Sequence, residues 1–136
     1  MLITLIVLSV IYGAFLLSAG SFGGKGPEKE AARFARWFSG LVAKANLSKR
    51  SFKLICSPSV RTNVINVEWQ FPTESEKYTA AYDCAFMRYD SVVYESVYTP
   101  QWNSLTPAAT IKVSRGREIH YIIISELARA RTNKSP

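Results

Sequence analysis

The sequence has one histidine, two cysteines and, before Lys25, no charge at all. His120 has no second imidazole to share a metal with, and the cysteines lack the close spacing of a metal site. Cys56 and Cys84 are also too few for a disulfide-built scaffold. No glycine-rich phosphate loop is present: Gly23-Gly24-Lys25-Gly26 has neither the spacing nor a preceding strand. No serine lies in a nucleophile-elbow pattern, and the carboxylates of the middle of the chain are scattered. These absences remove the common catalytic constellations, and nothing points to an enzyme, a metal or a cofactor.

The missing charge at the start is a positive signal. Met1 to Ala19 is apolar almost throughout, broken by Thr4, Ser9, Gly13 and Ser18. About 17 to 25 such residues span a bilayer core as a helix that satisfies its own backbone hydrogen bonds. The reading is a transmembrane helix over residues 1–20. Two alternatives stand beside it. A cleaved secretory signal is one, with Ser18-Ala19-Gly20 as the cut, although no basic residue precedes the apolar run. A buried core helix is the other.

After such an anchor roughly 110 residues remain, enough for one domain and too few for two. A hydrophobic content of 48% with 12% aromatics excludes a disordered chain. The net charge of +7 is unevenly placed: +6 over Lys25 to Lys53, −3 over Leu54 to Ile111 and +4 over Lys112 to Pro136. Basic residues after a membrane helix tend to stay cytoplasmic and attract anionic lipid, which stands against export of the domain.

Residues 21–27 read as a glycine-rich linker, and 28–136 as an α+β globular head with a basic C-terminal tail. Pro27 suits the first position of a helix, and Glu28 and Glu30 suit the positive end of its dipole. Phe34, Trp37, Phe38, Leu41, Val42 and Ala45 then fall at spacings of three and four, predicting an amphipathic helix from Glu28 to about Lys49. After Arg50 the period becomes two. Ser51 to Ser57, Val64 to Phe71, Tyr78 to Tyr89 and Ser91 to Tyr98 read as strands, with Pro72 to Lys77 and Pro100 to Pro107 as loops. Ala109 to Ser114 and Glu118 to Ser125 read as a hairpin turning at Arg115-Gly116-Arg117. Glu126 to Pro136 reads as a short tail. A helix followed by antiparallel strands implies that the helix covers one sheet face.

Two sets of residues remain as candidate sites. Cys56 and Cys84 both fall on apolar strand faces. In an oxidising compartment they could bridge, closing a loop of roughly 28 residues worth about 3 kcal/mol; otherwise they are two buried thiols acting as small hydrophobes. Arg115, Arg117, Arg129, Arg131 and Lys134 are the second set. If the tail folds back near the hairpin turn, they line one patch able to hold the phosphates of DNA; otherwise they are a solvated terminus.

The run Glu30 to Cys56, EAARFARWFSGLVAKANLSKRSFKLIC, following an apolar N-terminal helix and leading into strands, resembles the minor pseudopilins of the GspH/FimT type. Thr110 to Arg117 and Ile122 to Ser125 are similar to that family's last hairpin. The resemblance implies a pilin-like fold and a non-catalytic subunit of a type II secretion or type IV pilus system. Its apolar helix would pack with other pilin or pseudopilin subunits. It would be single-pass in the inner membrane, with the head in the periplasm or outside. The family's Gly-Arg element corresponds to Ala128-Arg129-Ala130-Arg131, and FimT-like members bind DNA through such arginines. The resemblance thus suggests a DNA-uptake role for Arg129 and Arg131. The family's basic leader does not precede the apolar run here, and Met1 is either a translation start or a first mature residue. Thr4-Leu5-Ile6-Val7 stands where the family has Thr-Leu-Ile-Glu, implying a tip position, an atypical subunit or a different family.

Overall fold

The computed structural model describes residues 26–89 and 94–136. The predicted membrane helix and most of the linker lie outside them. Among the described residues no helix is long and apolar enough to cross a membrane.

Helix α1 spans Gly26–Ser48. It includes Gly26 and Pro27, which the sequence reading gave to the linker; proline is tolerated in a first turn, where its missing N–H costs no hydrogen bond. Its C-terminus closes with Lys49 in the left-handed region (φ 54°) and an Arg50 N–H to Ala45 carbonyl bond of 3.1 Å. That is the i to i−5 closure that satisfies an orphan helix carbonyl. Ala31, Phe34, Phe38, Leu41 and Ala45 are all buried, so the apolar stripe faces the core.

Among the described residues nine strands follow: β1 Phe52–Ile55, β2 Val64–Trp69, β3 Glu74–Thr79, β4 Ala85–Arg88, β5 Glu95–Thr99, β6 Ser104–Thr106, β7 Ala109–Arg115, β8 Glu118–Ile124 and β9 Ala130–Asn133. They form two sheets, ordered β3-β2-β1-β5-β6 and β4-β7-β8-β9, and the pairings within both are antiparallel. The sheets are stitched at both edges. Thr62 and Phe86 exchange backbone bonds of 3.0 and 2.7 Å on one side, and Leu105 N–H donates to the Glu126 carbonyl at 2.8 Å on the other. The helix lies against both. Phe34 meets Tyr78 edge-on at 5.1 Å, Phe38 meets Phe52 at 6.1 Å, and the α1 backbone runs close to β7, β8 and β9.

Four strand assignments differ from the sequence reading. Pro100 to Pro107, read as a loop, contains the three-residue β6, an edge strand paired with β5. Pro72 to Lys77, read as a loop, contains most of β3. This is an edge strand with an exposed, charged face, and charged side chains are how such edges are protected. Tyr78 to Tyr89, read as one strand, is broken by Tyr82 and Asp83 at φ 57° and 53°, where the chain passes from one sheet to the other. The tail is not a loose terminus: β9 pairs with β8, Ala130 opposite Ile124 and Asn133 opposite Tyr121.

Candidate functional site

The turn between β7 and β8 carries Arg115 and Arg117 around Gly116, whose φ of 60° suits a residue without a Cβ. Arg115 donates to Glu118 Oε2 at 2.9 Å, and its guanidinium lies over Gly26, with Nη1 2.6 Å from where a Cβ there would sit. The turn is thus held at the end of α1 that joins the apolar stretch. Because β9 runs antiparallel to β8, the tail does return toward this turn, and Lys134 comes nearest to it. Its charge and that of Glu28 both reach His120, whose pKa is held below the ordinary histidine value chiefly by burial.

The other two arginines are elsewhere. Arg131 sits opposite Ile123, five residues along β8 from Glu118, the partner of Arg115. At about 3.4 Å per residue this is roughly 17 Å along the sheet. Arg129 lies farther still, in the turn where Ser125 N–H donates to its carbonyl at 3.0 Å. Sequence proximity therefore splits into two places: Arg115, Arg117 and Lys134 toward one end of the four-stranded sheet, Arg129 and Arg131 toward the other.

A shallow groove of about 780 Å³ opens beside the first group, lined by Ser59, Arg61, Asp83, Ser114 and Arg115 among others. Arg61, in the loop between β1 and β2, was not among the residues the sequence singled out. The signal was weak, since one exposed arginine in a Ser/Pro loop looks like any surface residue. The stitch between Thr62 and Phe86 brings it beside the β4 edge. Two guanidinium groups and two hydroxyls in one groove can donate to an anion such as a phosphate, with Asp83 as the opposing carboxylate.

Glu30 was read as a partner of the helix dipole. It is instead fully buried and ties the helix to the chain that links the two sheets. Its carboxylate accepts from the Ala81 N–H at 3.0 Å and from Arg33 Nη1 at 3.3 Å, and Arg33 also donates to the Thr79 carbonyl at 3.1 Å. Burial first, and then the Glu30 carboxylate beside it, push the Tyr78 phenol far above the usual tyrosine value. The signal was present: Glu30 stands four residues before Phe34, on the apolar stripe itself.

Cys56 and Cys84 are both buried, and neither is in a disulfide. Cys56 follows β1 of the five-stranded sheet, whereas Cys84 precedes β4 of the other. Cys84 Sγ donates to the Tyr82 carbonyl at 3.4 Å. Burial, followed by the charge of Glu30, pushes its thiol up, away from the reactive thiolate. No group of three or more His, Cys, Asp or Glu able to hold a metal occurs among the described residues.

No protein-family profile and no curated relative matches the chain. Two crystal structures of the type IV minor pilin FimU of Pseudomonas aeruginosa strain PAO1 are similar to it. One aligns with a TM-score of 0.60 at 12% identity, covering 81% of this chain and 90% of that one. The second crystal form gives 0.58 at 12% identity, covering 80% and 94%. The fold, one helix packed on antiparallel sheets, is pilin-like.

Proposed function

We propose that the chain is a non-catalytic, membrane-anchored subunit of a pilus or pseudopilus. Met1 to Ala19 holds it in the inner membrane and packs with the apolar helices of other subunits, and the head stands on the outer side. One observation carries this reading: a pilin-like head, similar over about four-fifths of the chain to a minor pilin, follows directly on an uncharged stretch long enough to span a bilayer.

The basic residues behind the anchor weigh less against export once their partners are named. Arg33 pairs with Glu30, Lys44 with Glu76, Arg50 with Glu74 and Lys53 with Glu95. Lys44 and Arg50 also cover the Trp69 ring at 4.9 and 5.3 Å. The positive first third of the soluble chain thus docks on the negative middle third, which supports reading that charge as part of the fold. The test replaces Met1 to Ala19 by an unrelated membrane anchor in the native host. Loss of fibre assembly or secretion with the head still present is expected; normal assembly would contradict the proposal.

A second reading, DNA binding by the head in DNA uptake, is favoured by the groove that joins Arg61 to Arg115. Affinity for duplex DNA should fall linearly with salt on a log–log scale, at about 0.9 in slope per phosphate contacted. Arg61→Ala with Arg115→Ala should flatten that slope by about 2, while Arg129→Ala with Arg131→Ala tests the opposite end of the sheet. No binding even at low salt would eliminate this reading.

A further inference from the structure

At the opposite pole of α1 from Gly26 lies a second pocket, of about 610 Å³, with a different chemistry. Asn46 at the end of the helix, Lys49 and Ser51 beyond it, and Thr99, Gln101 and Asn103 around the turn after β5 line it. The buried Tyr98 hydroxyl fixes two of these side chains. It donates to Asn46 Oδ1 at 2.6 Å and lies 3.3 Å from Asn103 Oδ1. The Tyr98 proton goes to Asn46 Oδ1, the shorter contact, which leaves the Asn46 amide nitrogen as a donor for whatever enters the pocket. Asn103 holds its place through a left-handed backbone (φ 48°) that asparagine tolerates. Between the lining residues Gln101 and Asn103 stands Trp102, with 69% of its surface exposed.

The lining decides the ligand class. It is made of three amides, two hydroxyls, one lysine and Pro100, with no arginine, and the carbonyl end of α1 sits at this pole. A helix C-terminus carries negative partial charge, which disfavours an anion. Pro100 is the one apolar side chain in the lining, too little to bury a hydrophobic peptide. Side-chain amides, hydroxyls that both donate and accept, and the exposed indole of Trp102 next in sequence to two lining residues suit a molecule with hydroxyls along its edges and C–H groups on its face. We propose that this pole binds a neutral oligosaccharide. Over 23 residues of helix, at 1.5 Å each, the pocket lies roughly 33 Å from Gly26. The proposal does not rest on the subunit role; it requires only the described fold.

The test is a titration of the ¹⁵N-labelled full-length chain in detergent micelles, followed by amide chemical shifts. The probes are chitotetraose, mannotriose and lacto-N-tetraose, with a tetraglutamate peptide and inorganic phosphate as anionic counterparts. Saturable shifts at Asn46, Lys49, Gln101 and Asn103 with at least one oligosaccharide are expected. Trp102→Ala and Gln101→Ala, both changes at exposed positions that leave the core intact, should each weaken that binding by about tenfold. Three results would overturn the proposal: no saturable shift with any oligosaccharide, shifts at these residues only with the peptide or phosphate, or oligosaccharide binding unchanged in both variants.

Discussion

Ala128 shows how one side chain can sit against its backbone. The turn from β8 to β9 places it at φ 59°, with its N–H donating to the Ser125 carbonyl at 2.9 Å. The left-handed region costs an L-residue about 1 to 2 kcal/mol, which glycine avoids at the expense of more unfolded-state freedom. Ala128→Gly should therefore raise stability by about 0.5 kcal/mol, and Ala128→Val should lower it by more than about 1 kcal/mol, both measured by urea unfolding. Glu30 is the opposite case, a charge that fits only because its partners are fixed. Glu30→Ala leaves the half-buried Ala81 N–H without its acceptor, a loss of about 1 to 2 kcal/mol. Glu30→Gln keeps an acceptor oxygen for the Ala81 N–H and gives up only the charge facing the half-exposed Arg33, so it should cost less than Glu30→Ala. Equal losses in the two variants would contradict the assigned bond. His120 supplies a pH dependence. Its folded pKa lies below the ordinary value of 6.5, so the unfolded chain binds the proton first as pH falls. Stability should be flat with pH above about 6.5 and decline below it, and His120→Gln should reduce the decline. A thermal melt series from pH 7.5 to 5 reads this directly; identical pH profiles would refute it.

At the scale of elements, the helix was the most legible feature. Its stripe recurs every three or four residues over four turns, and a pattern that long outvotes local noise. Phe34 is its centre, touching Trp37, Phe38, Tyr78 and Phe86 at 5.1 to 6.3 Å between ring centres. Phe34→Ala should cost about 3 to 5 kcal/mol in denaturant unfolding. The inner strands β1, β2, β7 and β8 were legible for the same reason, since each buries alternate residues against the helix. The edges were not. In β3, Glu74, Ser75 and Lys77 are exposed and β6 has three residues, so neither carries a period-two apolar signal. Membership there comes from the neighbouring strand's free hydrogen-bonding groups, which no single stretch of sequence displays. β9 was hidden likewise, as a basic tail whose Ala130 alone turns toward the core. The candidate site suffered for it: whether five cations make one patch depends on the register of that strand. The groove beside Arg115 depends on Arg61, which is far from it in sequence.

At the scale of the molecule, the described residues form a helix packed on two sheets, with two chemically unlike poles. Near Gly26 are guanidinium groups and the entry of the uncharged stretch; at the far pole is the amide-lined pocket beside Trp102. Three ion pairs join the helix, Arg50 and β1 to β3 and β5, setting part of the positive first segment against the negative middle one. The most direct test of the account is photocrosslinking in cells from a probe introduced at Leu8, within the apolar stretch, without disturbing the head. The account predicts covalent adducts with other subunits that carry apolar N-terminal helices. Efficient insertion of the probe-bearing chain with no adduct to any such subunit would contradict it.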